Sequence, residues 1–202
     1  HMHWSVSSDP ATIVMPTGTG KTDTMLSIFV SVPCQRLLVI VSTDALRTQI
    51  ARKFLTLGIL KEEGCRVLAE KAHYPVVGML THIPTTPSEV DEFFEACQVV
   101  VTTSQIAGRC SGEIQARMAS HCPYLFIDEA HHVSAPTWSA FKSKFEGARV
   151  LQFTATPFRE DGRPVEGKIV FKYPLRKAQE AGYFRMIRFA PVSEFYLAKG
   201  DE

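Results

Sequence analysis

Three short segments carry side chains able to work on a phosphate anhydride. In Met15-Pro16-Thr17-Gly18-Thr19-Gly20-Lys21-Thr22 two glycines precede a lysine and a threonine. Gly18 and Gly20 permit backbone conformations that turn successive N–H groups toward an anion. A helix starting behind them adds its unpaired N–H groups and the positive end of its dipole. Lys21 is then placed to reach the β- and γ-phosphates of a nucleotide, and the Thr22 hydroxyl to coordinate magnesium. Pro16, Thr17, Gly18, Thr19 and Gly20 form the rest of the cradle. The general phosphate-loop pattern has a glycine where this chain has Met15, so a strict search would pass over it.

The second segment, Asp128-Glu129-Ala130-His131, stands directly behind an apolar run at 124–127. Two carboxylates at the C-terminal end of a buried parallel strand sit where open α/β sheets bind ligands. Asp128 is suited to hold magnesium, directly or through water, and Glu129 to orient and deprotonate an attacking water. The third, Thr154-Ala155-Thr156-Pro157, follows another apolar run at 150–153. By residue type alone its threonines are strand-end hydroxyls able to form turns.

These segments need a scaffold that gathers strand ends. Apolar runs at 11–14, 37–41, 76–80, 99–101, 124–127 and 150–153 alternate with helical stretches. That pattern predicts an α/β fold, a mostly parallel sheet buried between helices. After Thr43, the residues Leu46, Ile50 and Phe54 recur every fourth position and stop before Gly58, which predicts an amphipathic helix. Ser88 followed by Asp91 reads as a capping box, with Val90, Phe93, Phe94 and Cys97 on the core-facing side of the helix it opens. Helices are also expected in the second half of 108–121 and over 138–145. Charges, glycines and Pro164 between 159 and 167 predict an exposed loop that ends the sheet. Beyond it, a strand-like 168–173, a helix opened by Pro174 and stopped at Gly182, and a strand-like 186–192 read as an extension. The expected division is 1–10 as tag remnant and N-terminal segment, 11–160 as nucleotide-binding domain, and 161–202 as C-terminal extension.

Composition narrows the partners. A chain of 202 residues suffices for one sizeable core, and 45% hydrophobic with 21% charged residues argues against extensive disorder or a fibre. Twenty-two basic against twenty-one acidic side chains leave a net charge of +1, so any nucleic-acid site must be local. Five cysteines without a CxxC pair suggest neither a disulfide framework nor a zinc ribbon, and suit a reducing cytoplasm or, in a eukaryote, nucleus. No apolar run reaches the roughly 18 residues of a membrane span. The opening His1-Met2 resembles a tag remnant.

Pro-Thr-Gly-Thr-Gly-Lys-Thr at 16–22, Asp-Glu-Ala-His at 128–131 and Thr-Ala-Thr at 154–156 occur in the order of motifs I, II and III of superfamily 2 helicases. The chain resembles the first RecA-like domain of that superfamily, a three-layer domain with a mostly parallel central sheet flanked by helices. Asp-Glu-Ala-His-His at 128–132, and Phe158-Arg159 with Asp161-Gly162, are similar to the branch holding restriction-enzyme motor subunits and DNA-repair helicases. The resemblance implies ATP and Mg2+ as ligands, with Lys21 and Glu129 catalytic and Thr22 and Asp128 on the metal. It implies that His131, Thr154 and Thr156 couple the phosphate site to nucleic acid and to a second RecA-like domain by exchanging hydrogen-bond partners. Segments 39–46 and 99–105 resemble motifs Ia and Ib, which makes Thr43, Arg47, Thr103, Ser104 and Gln105 candidates for holding phosphates without reading bases. Serine and threonine at such places also cap helices. The branch favours DNA over RNA, a choice the residues themselves leave open.

An arginine finger, worth about 10³–10⁵ in rate, is expected from the second RecA-like domain. This domain alone, monomeric and without a membrane partner, is therefore expected to turn ATP over poorly. Two further readings stay open. One is a nucleotide-gated binding module without productive hydrolysis, against which the retained Glu129 speaks. The other is a different phosphate-loop enzyme such as a nucleotide kinase, which would need a lid and an acceptor pocket.

Overall fold

The computed structural model describes residues 2–65, 67–69, 71–129, 135–158 and 162–185, with 135–138 as backbone only. Seven strands form one sheet: β1 (Ala11–Val14), β2 (Leu37–Val41), β3 (Val77–Met79), β4 (Val99–Thr103), β5 (Tyr124–Ile127), β6 (Arg149–Thr154) and β7 (Lys168–Lys172). Their order is β3-β4-β2-β5-β6-β1-β7, and every neighbouring pair is parallel. Parallel neighbours need crossovers, and these are supplied by α1 (Lys21–Ser31), α2 (Asp44–Thr56), α3 (Pro87–Glu95), α4 (Ser104–Arg109), α5 (Gly112–His121) and α6 (Ala135–Ser143). A short α7 (Leu175–Glu180) follows β7.

The period of two along each strand splits the core into two layers. Leu37, Val39 and Val41 of β2, with Tyr124 and Phe126 of β5, point to one side and pack with Met25 and Leu26 of α1 and Ile50 and Phe54 of α2. Leu38 and Ile40, with Leu125 and Ile127, point to the other and meet Val90, Phe94, Ile114, Met118 and Phe141 from α3, α5 and α6. Strands buried on both faces are why these runs read as continuously apolar rather than alternating. The result is the three-layer α/β architecture with helices on both faces of a parallel sheet.

Three of the expected strands, β1, β2 and β5, have the bounds their apolar runs predict, whereas β4 and β6 run on into Thr103 and Thr154. Two expectations need correction. The N-cap of α3 is Thr86, backed by Glu89, and not Ser88 with Asp91. Thr86 Oγ1 accepts from Glu89 N–H at 3.3 Å, Pro87 occupies the first turn, and Glu89 Oε2 accepts from Thr85 N–H at 2.9 Å. Pro87 starts the helix earlier because its fixed φ suits the first turn and its missing N–H costs nothing there.

The loop after Thr156 does not end the sheet either. Residues 168–172, expected in an extension, pair along β1 as an edge strand. Lys168 N–H donates to Pro10 O at 2.8 Å, and Thr12 Oγ1 and Gln152 Nε2 both donate to Glu166 O, at 3.1 and 2.6 Å. Gly167 permits that approach: its φ is +91°, and a Cβ there would lie 2.4 Å from Pro10 O. The strand-like stretch 186–192 lies outside the described residues.

Candidate nucleotide site and nucleic-acid rim

The strand order explains how distant segments meet. The cradle follows β1, the Thr-Ala-Thr segment ends β6, and the acidic pair follows β5, three consecutive strands in the sheet. Val14 and Thr154 are register partners, and Met15 N–H donates to Thr154 O at 2.9 Å, tying the start of the cradle to the Thr-Ala-Thr strand. Asp128 N–H donates to Ile40 O at 2.8 Å, which fixes the acidic pair at the C-terminal edge of β2 and β5.

Within the cradle, Gly18 and Gly20 take φ of +84° and +94°, a region in which side-chain-bearing residues are strained. Gly20 caps α1, so the first N–H groups of that helix open on the loop. Pro16, Thr17 and Gly18 are partly or fully exposed at the surface. Thr19 is buried and closes the loop on itself, its hydroxyl donating to Pro16 O at 2.7 Å. Met15, in the position of the missing glycine, is buried, and its sulfur accepts from Thr24 Oγ1 at 3.7 Å. Residue type alone points to neither Met15 nor Thr24 as part of the loop; the sequence signal is Met15 standing in the glycine slot.

Lys21 is buried and its ammonium pairs with Glu129 Oε1. Glu129 takes φ of +53°, a left-handed conformation of the kind that costs roughly 1–3 kcal/mol and persists where surrounding structure imposes it. Asp128 is buried, and burial pushes its carboxyl up to about 6; the Lys21 charge pulls the other way, and Glu129 adds to the rise. Asp128 Oδ1 is buried without a hydrogen-bond partner among the described residues.

A buried carboxylate oxygen without a partner among the described residues and a hydroxyl in the first turn of α1 are hard donors of the kind magnesium prefers, so Asp128 and Thr22 suit that ion by type. Among the described residues no group of three or more His, Cys, Asp or Glu side chains could hold a metal unaided. Magnesium at this place would therefore share its coordination with nucleotide phosphate and water.

The coupling candidates differ in placement. Thr154 is fully buried, and its hydroxyl donates to Thr156 O at 2.7 Å and accepts from Thr156 N–H at 3.2 Å. Thr156 is exposed and donates to Phe158 O at 3.0 Å. His131 lies outside the described residues.

The candidates for phosphate-backbone contact sit at the ends of the adjacent strands β2 and β4, where Val41 and Thr103 are register partners. Thr43 caps α2 through Leu46 N–H and Thr103 caps α4 through Ile106 N–H, both at 3.3 Å. Ser104 and Gln105 form the first turn of α4, with Gln105 exposed. Arg47 is not presented to the surface as expected. It is buried, with Nη1 2.7 Å from Asp44 Oδ1 but at an angle outside hydrogen bonding. Its place in the inward-facing series of α2 with Ala51 and Phe54 turns it away from the rim.

Residues 3–159 match the sequence profile of a family described as Type III restriction enzyme, res subunit. No curated protein matches the sequence. Among solved structures, the chain is similar to the UvsW helicase from bacteriophage T4, at 18% identity and a TM-score of 0.55 over 80% of this chain and 54% of that one. The Hef helicase domain of Pyrococcus furiosus aligns at 23% identity and 0.53, over 74% and 30%. The ATP-dependent Type ISP restriction-modification enzyme LlaBIII bound to DNA aligns at 20% identity and 0.58, over 89% and 15%. At these identities the likeness is one of fold. The chain spans about half the length of the UvsW chain and less than a third of the other two.

Proposed function

The chain belongs to the Type III restriction enzyme res-subunit family, whose members carry the N-terminal RecA-like domain of superfamily 2 helicases, and on that footing we propose that it is an ATP-driven motor domain. In this reading it binds Mg–ATP and couples hydrolysis to translocation on, or separation of, nucleic-acid strands, DNA in preference to RNA. The observation that carries the proposal is the meeting of Lys21, Asp128 and Glu129 at the ends of β1 and β5, with the Thr-Ala-Thr strand β6 between them. The DNA bound in the LlaBIII structure supports the choice of polymer.

Each side chain then has a task. The N–H groups behind Gly18 and Gly20 receive the phosphates, and Lys21 leaves Glu129 for the β- and γ-oxygens. That exchange also frees Glu129, whose carboxylate orients a water on the γ-phosphorus and takes its proton as the bond to ADP breaks. Magnesium, held by Thr22 and Asp128, would supply charge neutralisation on the phosphates. Loss of the γ-phosphate alters the end of β1 first, and the Met15–Thr154 hydrogen bond leads from there to Thr156. His131 belongs to the same coupling set. A second RecA-like domain supplies the remaining cation for fast turnover.

The test is titration of the chain with a fluorescent ATP analogue, with and without magnesium, beside Lys21→Ala, together with phosphate release in the presence of duplex DNA, single-stranded DNA and RNA. Magnesium-dependent binding that Lys21→Ala abolishes is the expected result. A folded chain that binds no nucleotide would sink the proposal.

A further inference from the structure

A groove of about 510 Å³ runs along α2, lined by Thr48, Gln49, Arg52, Lys53 and Thr56 of the helix and by Glu62 beyond its end. Thr48, Arg52 and Thr56 are spaced i, i+4, i+8, and Gln49 and Lys53 lie beside them, so the polar stripe follows one flank of the helix. That flank begins at the rim, because Thr43 caps α2 at the end of β2.

We propose that this groove carries the phosphodiester backbone of a nucleic-acid strand leaving the Thr43 and Thr103 rim. The inference rests on the motor-domain reading above and adds to it a path and two contact residues, Arg52 and Lys53. Neither pairs with a carboxylate among the described residues, whereas Lys21, Arg47, Arg117, Lys142 and Arg176 each have an acidic neighbour. Lys53 lies along the groove, its chain packed so that a Cβ on Gly58 would sit 3.3 Å from Cδ and 3.8 Å from Nζ.

The hydroxyls of Thr48 and Thr56 already donate to Asp44 O and Arg52 O, at 3.2 and 3.0 Å, so the donors left for an anion are Gln49 and the two cations. From Thr43 to Arg52 the helix advances about 13 Å, the rise of about four nucleotides of a B-form strand. Cations at that spacing suit a repeating anion and a motor indifferent to sequence. Glu62 places a carboxylate at the far end, where the strand would leave the groove.

The deciding experiment measures anisotropy of a fluorescent single-stranded oligothymidylate across a salt series. It compares the chain with Arg52→Gln/Lys53→Gln and with Lys168→Gln/Lys172→Gln on exposed β7, which removes the same two charges elsewhere. Circular dichroism and thermal unfolding check that each variant is folded. Loss of two phosphate contacts should lower the slope of log affinity against log salt by about 1.4, making the loss of affinity between 50 and 200 mM salt about sevenfold smaller. The β7 variant should keep the full slope.

An unchanged slope in the α2 variant, or an equal fall in both variants, would overturn the groove while leaving the motor reading intact. Failure of the wild-type chain to bind any oligonucleotide would instead remove that reading and the groove with it. Displacement of the oligonucleotide by polyglutamate at lower concentration than by unlabelled oligothymidylate, lost in the α2 variant, would assign the groove to acidic peptides and overturn the proposal.

Discussion

The two candidate sites along the sheet handle polarity in opposite ways. At β1 and β5 the chain buries charge: Lys21 is 8% and Asp128 7% exposed, Lys21 is held against Glu129, and one Asp128 oxygen has no hydrogen-bond partner among the described residues. At β2 and β4 it presents hydroxyls and helix starts: Thr43 and Gln105 are exposed, and Thr43 and Thr103 are satisfied as caps. Buried charges are stable only in company, so a site of that kind responds strongly to a ligand that rearranges the company. Capped hydroxyls cost little to present and little to lose, which suits contacts a motor makes and releases at every step.

The largest effect that would sharpen this contrast is expected from Lys21→Ala. Leaving Glu129 without its cation in a buried site should destabilise the fold by about 3 kcal/mol in urea unfolding. It should also weaken nucleotide binding by about 100-fold or more. Adding Glu129→Gln should recover most of the stability but none of the binding. Equal stability of Lys21→Ala and wild type would show that the pair is not held as described.

The Asp128 carboxyl sets the next effect. With burial raising it to about 6, metal must compete with a proton below that pH, so magnesium-dependent nucleotide affinity should fall as pH drops from 7 to 5, and Asp128→Asn should abolish the dependence. The sign for folding is opposite. In the absence of metal the unfolded carboxyl ionises near 3.9 and the folded one near 6, so stability declines as pH rises between those values. Calorimetry across pH 4–7 without magnesium reads this directly, and a flat profile would contradict the burial of Asp128.

On the rim the numbers shrink. Thr43→Ala and Thr103→Ala should each cost about 1 kcal/mol through lost caps. Thr43→Asn should keep the cap and the stability while lowering oligonucleotide affinity. If Thr43→Asn binds like wild type, Thr43 is a cap alone.

The smallest effect lies outside both ends. Hydrogen bonds from Arg117 and His121 hold the Asp91 carboxyl down at about 2. Its contribution is present above the ordinary carboxylate value near 4 and is lost as pH falls toward 2. Asp91→Asn should therefore slightly lower stability at neutral pH and flatten the acid limb of the unfolding profile, without touching nucleotide or oligonucleotide binding.

Local chemistry determined much of this protein from its sequence. Apolar runs buried on both faces marked the strands, Gly18, Gly20 and Lys21 marked the candidate phosphate cradle, and the carboxylates behind 124–127 marked the other half of the candidate nucleotide site. Each of those signals is carried by a few neighbouring residues, which is why it can be read along a line. The cap of α3 is also local, but Ser88 with Asp91 imitates in sequence the pattern that Thr86 and Glu89 form once Pro87 opens the helix. Tertiary structure alone decided the strand order, which sets the Thr-Ala-Thr strand between the cradle and the acidic pair. It also decided the Lys21–Glu129 pair, across 108 residues of chain, and the docking of β7 on β1. Inward rotation of Arg47 belongs with these, since a residue's face on a helix depends on what that helix packs against. Such features arise from hydrogen bonds and burial between segments distant in sequence, and no short window of residues contains both partners.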